Sequence, residues 1–346
     1  MASNIKDVAQ KAGVSPSTVS RVITDYPRIS QETRKRVFAA MKELNYHPNA
    51  IARSLVTKSS KTIGLVMPGD VNQFYMNPFF PEVLRGITDV AQNAGYDLLL
   101  STSLPKQEDT DTLQQMMWSK RVDGVILLTV RVEDPLLDIL EKQQIPVVLI
   151  GRPPEKTSIT WVNNNNKKAA YDSTMHLLKL GHKRIGFIGG SPNLIVTIDR
   201  RNGYAEALQE FGIAFDPNLV VFGEFLEEAG YMGMMRLLAY SERPTSIVAS
   251  DDVLAFGAMQ AAGELGYNIP DDLAIVGFND IPLAKLANPP MTTVNVFIQK
   301  LGQTAANLLI ERLSGEAPDP KVIEIEHELV IRRSCGAFKH QSPFSF

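Results

Sequence analysis

An α/β body of two doubly wound subdomains, preceded by a helix-turn-helix head, is predicted by three features of the 346-residue sequence. Length comes first, since at about 150 residues per domain the chain has room for roughly 2.3 domains. Second, from Thr62 onward short apolar runs alternate with helix-period segments, the pattern of parallel strands covered by helices on both faces. Third, residues 1–61 contain no strand-like run and differ in charge. They hold 11 Lys/Arg against 4 Asp/Glu, a balance of +7, while the remainder carries −10. A basic block on an acidic body suits a head that displaces counterions from a polyanion, and it equally describes a solvated charged face.

The head reads as three short helices. Asn4, with Asp7 three residues on, forms a capping arrangement for helix 1 (5–12), and Gly13 supplies the break. Ser15 caps helix 2 (15–23), whose first position is Pro16, where a missing N–H costs nothing. Ser30 caps a third helix that runs to about Leu44. Val8, Ala9, Val14, Val19 and Val22 fall on facing sides of the first two helices, which is helix-turn-helix spacing. Ser17, Thr18, Ser20, Arg21 and Thr24 stay off that apolar face, where polar donors suit a DNA major groove; a small protein-binding module fits the same pattern. Residues 49–55 form a brief helical pattern, and TKSSK at 57–61 reads as a linker.

In the body the strand-like runs are TIGLVM, DLLLS, GVILL, PVVLI, RIGFIG, SIVAS and LAIVGF, with weaker candidates near 160–162, 220–222, 293–296 and 322–325. Helical segments are predicted around 81–94, 109–119, 135–143, 165–180, 199–211, 227–239, 253–265 and 298–312. So many strands divide into two similar groups near Trp161–Asn166.

Composition excludes several classes. With 44% hydrophobic and 21% charged residues the chain is of the ordinary globular kind. Cys335 is the single cysteine, so no intramolecular disulfide forms and a reducing, cytoplasmic address is expected. MASNIKDVAQKAG lacks the apolar run of an export signal, and no stretch approaches the roughly 18 apolar residues of a membrane span. The sequence contains no nucleophile elbow, no P-loop and no zinc-protease motif, and the five histidines at 47, 176, 182, 327 and 340 show no ligand spacing, so neither an enzyme nor a cofactor is expected. Gly189–Gly190 reads as a tight turn rather than a phosphate cradle.

The run IKDVAQKAGVSPSTVSRVI, followed by TRKRVFAAMKELNYHPNAIARSL, resembles the head and hinge of the LacI/GalR family of bacterial transcription repressors. The resemblance continues through TIGLVMP, FFPEVLRGI, RVDGVIL, GHKRIGFIGG, RRNGYAEAL, RPTSIVASDDVLAFGAM, IPDDLAIVGFND and VIRRSCG, covering residues 4–336. It implies a head (1–47), a hinge helix and linker (48–61), and two Rossmann-like, periplasmic-binding-protein-like subdomains joined by three crossovers. These are 62–161 plus about 293–320, and 162–292 plus about 321–336, with a tail at 337–346. A homodimer on a pseudo-palindromic operator is implied as well.

Carried over by position, Pro16, Ser17 and Arg21 are the recognition residues, and Ser15, Thr18, Ser20 and Thr24 contact phosphate or sugar. Arg21 suits a guanine edge, since its planar fork donates two hydrogen bonds. Leu55 matches the hinge leucine that wedges into the minor groove; its alternative is a linker helix capped against the body. Seven residues are too few for a stable isolated helix, so the hinge is expected to fold only on DNA.

For the effector the matching positions are Phe79, Phe80, Arg152, Asn163, Arg200, Phe225, Asp251 and Asn279. Arg, Asp and Asn bracket vicinal hydroxyls while rings cover the C–H face of a pyranose, so a small sugar is expected between the subdomains. Core packing is the alternative for the three aromatics, and a helix cap for Asp251. The family often has an acid where Asn279 stands, with the acid here displaced to Asp280, so a shared or a weakened hydroxyl-accepting role is expected. DVNQFYMNPFF is longer than in many members, with aromatics for a second sugar ring, and resembles the maltose-utilisation repressors of the family, which implies a maltose-like effector. The rival functions are a regulator activated by a phosphorylated carrier protein, and a sugar receptor or hydrolase without a DNA role.

Overall fold

Local capping chemistry sets the three helices of the head. In the computed structural model, which describes residues 3–47, 59–67, 75–102, 119–128, 130–143, 146–155, 157–316 and 320–338, these are α1 (Ile5–Ala12), α2 (Pro16–Ile23) and α3 (Gln31–Glu43). Asn4 accepts from the Lys6 and Asp7 amides, and Asp7 accepts in return from the Asn4 amide at 2.8 Å, a complete capping box. Gly13 ends α1 in the left-handed region at φ 64°. Ser15 and Ser30 cap α2 and α3 through the Thr18 and Thr33 amides, both at 3.2 Å. Val8, Ala9, Val19, Val22, Val37 and Ala40 close the core between them. The hinge pattern at 49–55, Leu55 within it, and the helix expected at 109–119, apart from Ser119, lie outside the described residues. The end of the linker is anchored, because Asp123 accepts from the Ser60 amide at 2.6 Å and the Lys61 amide at 3.0 Å.

The body holds two six-stranded sheets. The first contains β1 (Thr62–Met67), β2 (Asp97–Thr102), β3 (Gly124–Leu127), β4 (Val147–Ile150), β5 (Thr160–Asn164) and β11 (Val322–Ile325), in the order β11-β5-β4-β3-β1-β2, all parallel. The second contains β6 (Ile185–Gly189), β7 (Val220–Phe222), β8 (Ser246–Ala249), β9 (Ala274–Asn279), β10 (Thr292–Asn295) and β12 (Glu328–Val330), in the order β12-β10-β9-β8-β6-β7. Here only the edge strand β12 runs antiparallel. Apart from that edge the two orders match, which is the expected pair of similar subdomains. The central strands are buried along their whole length, as the continuous apolar runs require.

Helices α4 (Phe79–Asn93), α5 (Pro135–Gln143) and α11 (Ile298–Ser314) flank the first sheet. Helices α6 (Asn166–Lys179), α7 (Ile195–Glu210), α8 (Glu227–Leu238), α9 (Asp252–Glu264) and the short α10 (Pro282–Leu286) belong to the second. The α4–α11 crossing is as close as backbones permit: a Cβ on Gly86 would stand 2.1 Å from the Gln299 carbonyl, and one on Gly302 would stand 2.2 Å from that of Val83. The chain crosses between sheets three times, after β5, after β10 and after β11. These points lie later than the expected divisions at 161/162, 292/293 and 320/321. Asn163–Asn164 close β5 and Thr292 opens β10, so these polar residues pair within the ladders. Among the described residues no helix is long and apolar enough to cross a membrane.

Candidate functional site

The carboxyl ends of nine of the described strands converge on one cavity between the subdomains. All eight residues expected to meet an effector line it: Phe79 and Phe80 opening α4, Arg152 after β4, Asn163 on β5, Arg200 on α7, Phe225 after β7, Asp251 before α9 and Asn279 ending β9. The carboxyl ends of strands in open α/β sheets are where such crevices form.

Arg200 is buried and donates through all three of its guanidinium nitrogens. Its Nε donates to Asn166 Oδ1 at 2.9 Å, Nη1 to the Ser250 carbonyl at 2.5 Å and Nη2 to Asn279 Oδ1 at 3.3 Å. The guanidinium also stacks on Phe278, 3.7 Å from the ring centroid. Burial pushes its pKa down to about 10, still well above neutrality, so it remains a cation. Two of its five N–H groups have no bond in this set, and the residue borders the cavity.

Asp251 caps a helix and also borders the cavity. Its Oδ1 accepts from the Val253 amide at 2.7 Å, capping α9, while Oδ2 accepts from Asn279 Nδ2 at 2.7 Å and Asn77 Nδ2 at 3.2 Å. Burial raises its pKa, and the Asn77 and amide donors pull it back. Asn77 precedes α4 and so reaches across the cleft. Arg152 crosses it too, donating through Nε and Nη2 to the two oxygens of Asp199, at 2.8 and 2.5 Å. That hydrogen bond raises the Arg152 pKa. A third cross-cleft link is backbone: Ile195 N–H donates to Val130 O at 3.1 Å and Val132 N–H to Asn193 O at 2.9 Å.

Two expectations need revision. Asp280 does not share the hydroxyl-accepting role, because its carboxylate accepts from Arg332 Nη2 at 2.6 Å and is not part of the cavity wall. Both Asn279 and Asp280 take positive φ, 107° and 55°, and that turn aims the two side chains apart. Gly190 does more than turn the chain: a Cβ there would stand 2.3 Å from the Phe225 ring, so glycine leaves the space the ring occupies. Of the extended segment before Phe79, residues 68–74 lie outside the described set, and Tyr75 is 70% exposed and not in the cavity wall. The aromatic question resolves for Phe80, which is 7% exposed, packs in the core and still borders the cavity, edge-on to Phe79 at 5.5 Å.

Sequence reasoning missed Asn77, Asn164, Asn166 and Asp199. The signal was present in part: Asp199 directly precedes Arg200, and starting α7 at Ile195 turns both toward the cavity. Among the described residues no group of three or more His, Cys, Asp or Glu side chains could hold a metal ion.

In the head, Ser15, Pro16, Ser17 and Arg21 are exposed on the outer side of α2, while Thr18, Ser20 and Thr24 are half-buried. Ser15 Oγ sits 2.8 Å from Ser17 Oγ and 2.9 Å from Thr18 Oγ1, and Thr24 Oγ1 donates to the Ser20 carbonyl at 3.0 Å. The Arg21 guanidinium rests 5.7 Å from the Tyr26 ring centroid.

Comparison with known proteins accords with this geometry. Residues 4–49 match the family of bacterial regulatory proteins, lacI family, and residues 174–335 match a periplasmic binding protein-like domain. The transcriptional regulator MalR of Streptococcus pneumoniae serotype 4 is 45% identical over 320 residues, 92% of this chain and 95% of that one. The lac repressor dimer bound to operator and the anti-inducer ONPF superposes with a TM-score of 0.85 at 26% identity, covering 97% of this chain and 99% of that one. The CelR–cellobiose complex gives 0.76 at 31% identity, over 96% and 99%. The relatives are transcriptional regulators and not enzymes, and on these full-length likenesses the chain belongs to the lacI family of bacterial regulatory proteins.

Proposed function

We propose that the chain is a cytoplasmic, homodimeric transcription repressor whose affinity for a pseudo-palindromic operator is set by a neutral, maltose-like sugar bound between its subdomains. The observation that carries this reading is the charge balance of the cavity. Among the described residues its two cations, Arg152 and Arg200, are matched by Asp199 and Asp251, which leaves no surplus positive charge there for a phosphate. What remains is hydrogen-bonding edges from Asn163, Arg200 and Asn279 beside the rings of Phe79, Phe80 and Phe225, a set suited to hydroxyls and sugar C–H faces. The likeness to MalR and to a cellobiose-bound regulator supports a sugar. In the head we assign base reading to Ser17 and Arg21, shaping of the helix entry to Pro16, and backbone contacts to Ser15, Thr18, Ser20 and Thr24. Leu55 is assigned the minor-groove wedge.

The test is a titration of labelled operator, selected from random duplexes, in the presence of maltose, cellobiose, glucose or glucose 6-phosphate at fixed salt. Maltose is expected to shift the operator Kd by about 5–150-fold, the usual range of an allosteric coupling, and glucose 6-phosphate to leave it unchanged. A sugar panel without effect, or a response to the phosphorylated sugar alone, would overturn the reading.

A further inference from the structure

Four consecutive asparagines, 163–166, stand where the chain first leaves sheet one, and each side chain has its own task. Asn163 borders the cavity, and Asn165 caps α6 by accepting from the Lys168 amide at 3.0 Å. Asn166 accepts from Arg200 Nε and donates to Asn163 Oδ1 at 2.9 Å and the Asn164 carbonyl at 3.2 Å. Asn164 is 3% exposed, and its Nδ2 lies 3.1 Å from Val296 O, 3.0 Å from Ile325 O and 3.4 Å from Glu326 O.

Those partners are not neighbours in sequence. Asn164 opens the first crossover, Val296 lies in the second, and Ile325 and Glu326 begin the third. One amide group therefore touches every covalent connection between the two subdomains. All three partners are carbonyls, which only accept, so the nitrogen and not the oxygen must face them. Its two N–H groups serve one carbonyl singly and fork between the other two. The backbone beside this point is constrained as well: Phe297 takes φ 51°, uncommon for a bulky residue, and its N–H donates to Asn295 Oδ1 at 2.8 Å.

We propose that Asn164 is the pin about which the two subdomains turn. Three separate linkers with independent backbone torsions would form a soft joint able to bend in many ways. Tied at one amide, they share an axis, and the relative angle of the subdomains becomes a single coordinate of the kind that switches between discrete states. The pin is also close to the ligand site, because Asn166 links its carbonyl directly to the Arg200 guanidinium. Asn164 is thus a positioning residue: it transmits occupancy of the cavity into subdomain angle.

The test has an arm that needs no ligand. Amide hydrogen exchange on the full chain compares wild type with Asn164→Ser, which retains one short donor. Residues 296–298 and 325–328 are expected to exchange about ten-fold faster together, with β3 and β8 unchanged, since only the forked bonds are lost. A change confined to residues 163–166, or none, would overturn the pin. Should Asn164→Ser not fold, wild-type exchange decides: a common opening rate at the second and third crossovers supports the proposal, and rates differing by more than about ten-fold refute it. The second arm rests on the sugar reading. The fold-change in operator Kd on saturating maltose is expected to fall below about one third of the wild-type value in Asn164→Ser, and an undiminished fold-change counts against the pin. If maltose leaves wild-type operator affinity unchanged, the sugar reading has failed, and the exchange arm alone decides the inference.

Discussion

The two walls of the cavity differ in where their polar groups find partners. On the second subdomain, Arg200 is bonded to Asn166, Ser250 and Asn279, all in its own subdomain. On the first, Asn77 reaches to Asp251, Arg152 to Asp199, and Asn163 accepts from Asn166, every one of them across the division. The second wall is therefore organised whatever the angle of the cleft, while on the first the Asn77–Asp251 and Arg152–Asp199 bonds form only when it is closed, beside the local bonds of Asn77 to the Phe79 amide and of Arg152 to the Pro153 carbonyl. On the proposed reading recognition and closure fall to different walls, and a ligand hydroxyl taking the place of Asn77 on Asp251 would exchange a bond to the protein for a bond to itself. That exchange gives the ligand unequal affinity for the two angles, the one requirement for it to bias them.

The largest expected effect tests the organised wall. Arg200→Met leaves Asn166, the Ser250 carbonyl and Asn279 without their donor and removes the charge facing Asp251. Breaking a buried charged network from one side costs about 3–5 kcal/mol, read by urea unfolding, and the operator response to sugar should vanish with it. An Arg200→Met protein of wild-type stability would mean that the second wall is not self-supporting, and the contrast between walls would fall.

A middle-sized effect concerns pH and the carboxylate beside that network. Asp252 is buried, accepting from Thr293 Oγ1 at 2.5 Å and the Ile281 amide at 2.9 Å, and burial holds its pKa well above the ordinary carboxylate value of 3.8. A carboxyl whose pKa is raised by folding contributes stability that is full below its unfolded value and lost as pH rises through its folded value. Stability should therefore fall over that window, and Asp252→Asn should flatten the fall by about 1–2 kcal/mol. Thermal melts across pH 4–8 for both proteins check the sign; a steeper fall in the variant would reverse it.

Much of this architecture was legible beforehand, and the parts that were not share a cause. TIGLVM coincides with β1, and Asn4, Ser15 and Ser30 cap the helices assigned to them, because these signals are local and each involves residues within a few positions. The eight cavity residues came from family resemblance and meet in one place. Asn77 and Asp199 escaped notice because their partners lie 174 and 47 positions away, at Asp251 and Arg152. Asn164 was hidden by its type, since a polar residue in a run of four asparagines reads as loop until three distant carbonyls are seen around it. α10 and β12, five and three residues long, are too short to show a period.

The smallest expected effect on stability tests the conditional wall, and its smallness is the point. The Arg152–Asp199 pair has bidentate geometry, but the arginine side chain is 35% exposed while the aspartate is only 9% exposed. Solvent screening limits such a pair to about 1 kcal/mol or less of global stability. Arg152→Met should accordingly move the urea midpoint little, because an opened cleft rehydrates Asp199 without unfolding either subdomain. With the cleft closed the same variant leaves Asp199 as a buried carboxylate without its cation, so the closed arrangement is the one that loses. The balance then shifts toward the open angle, measurable as a larger radius of gyration by small-angle scattering at neutral pH. A variant that unfolds early, or that keeps wild-type dimensions at neutral pH, would show that the first wall is as self-supporting as the second.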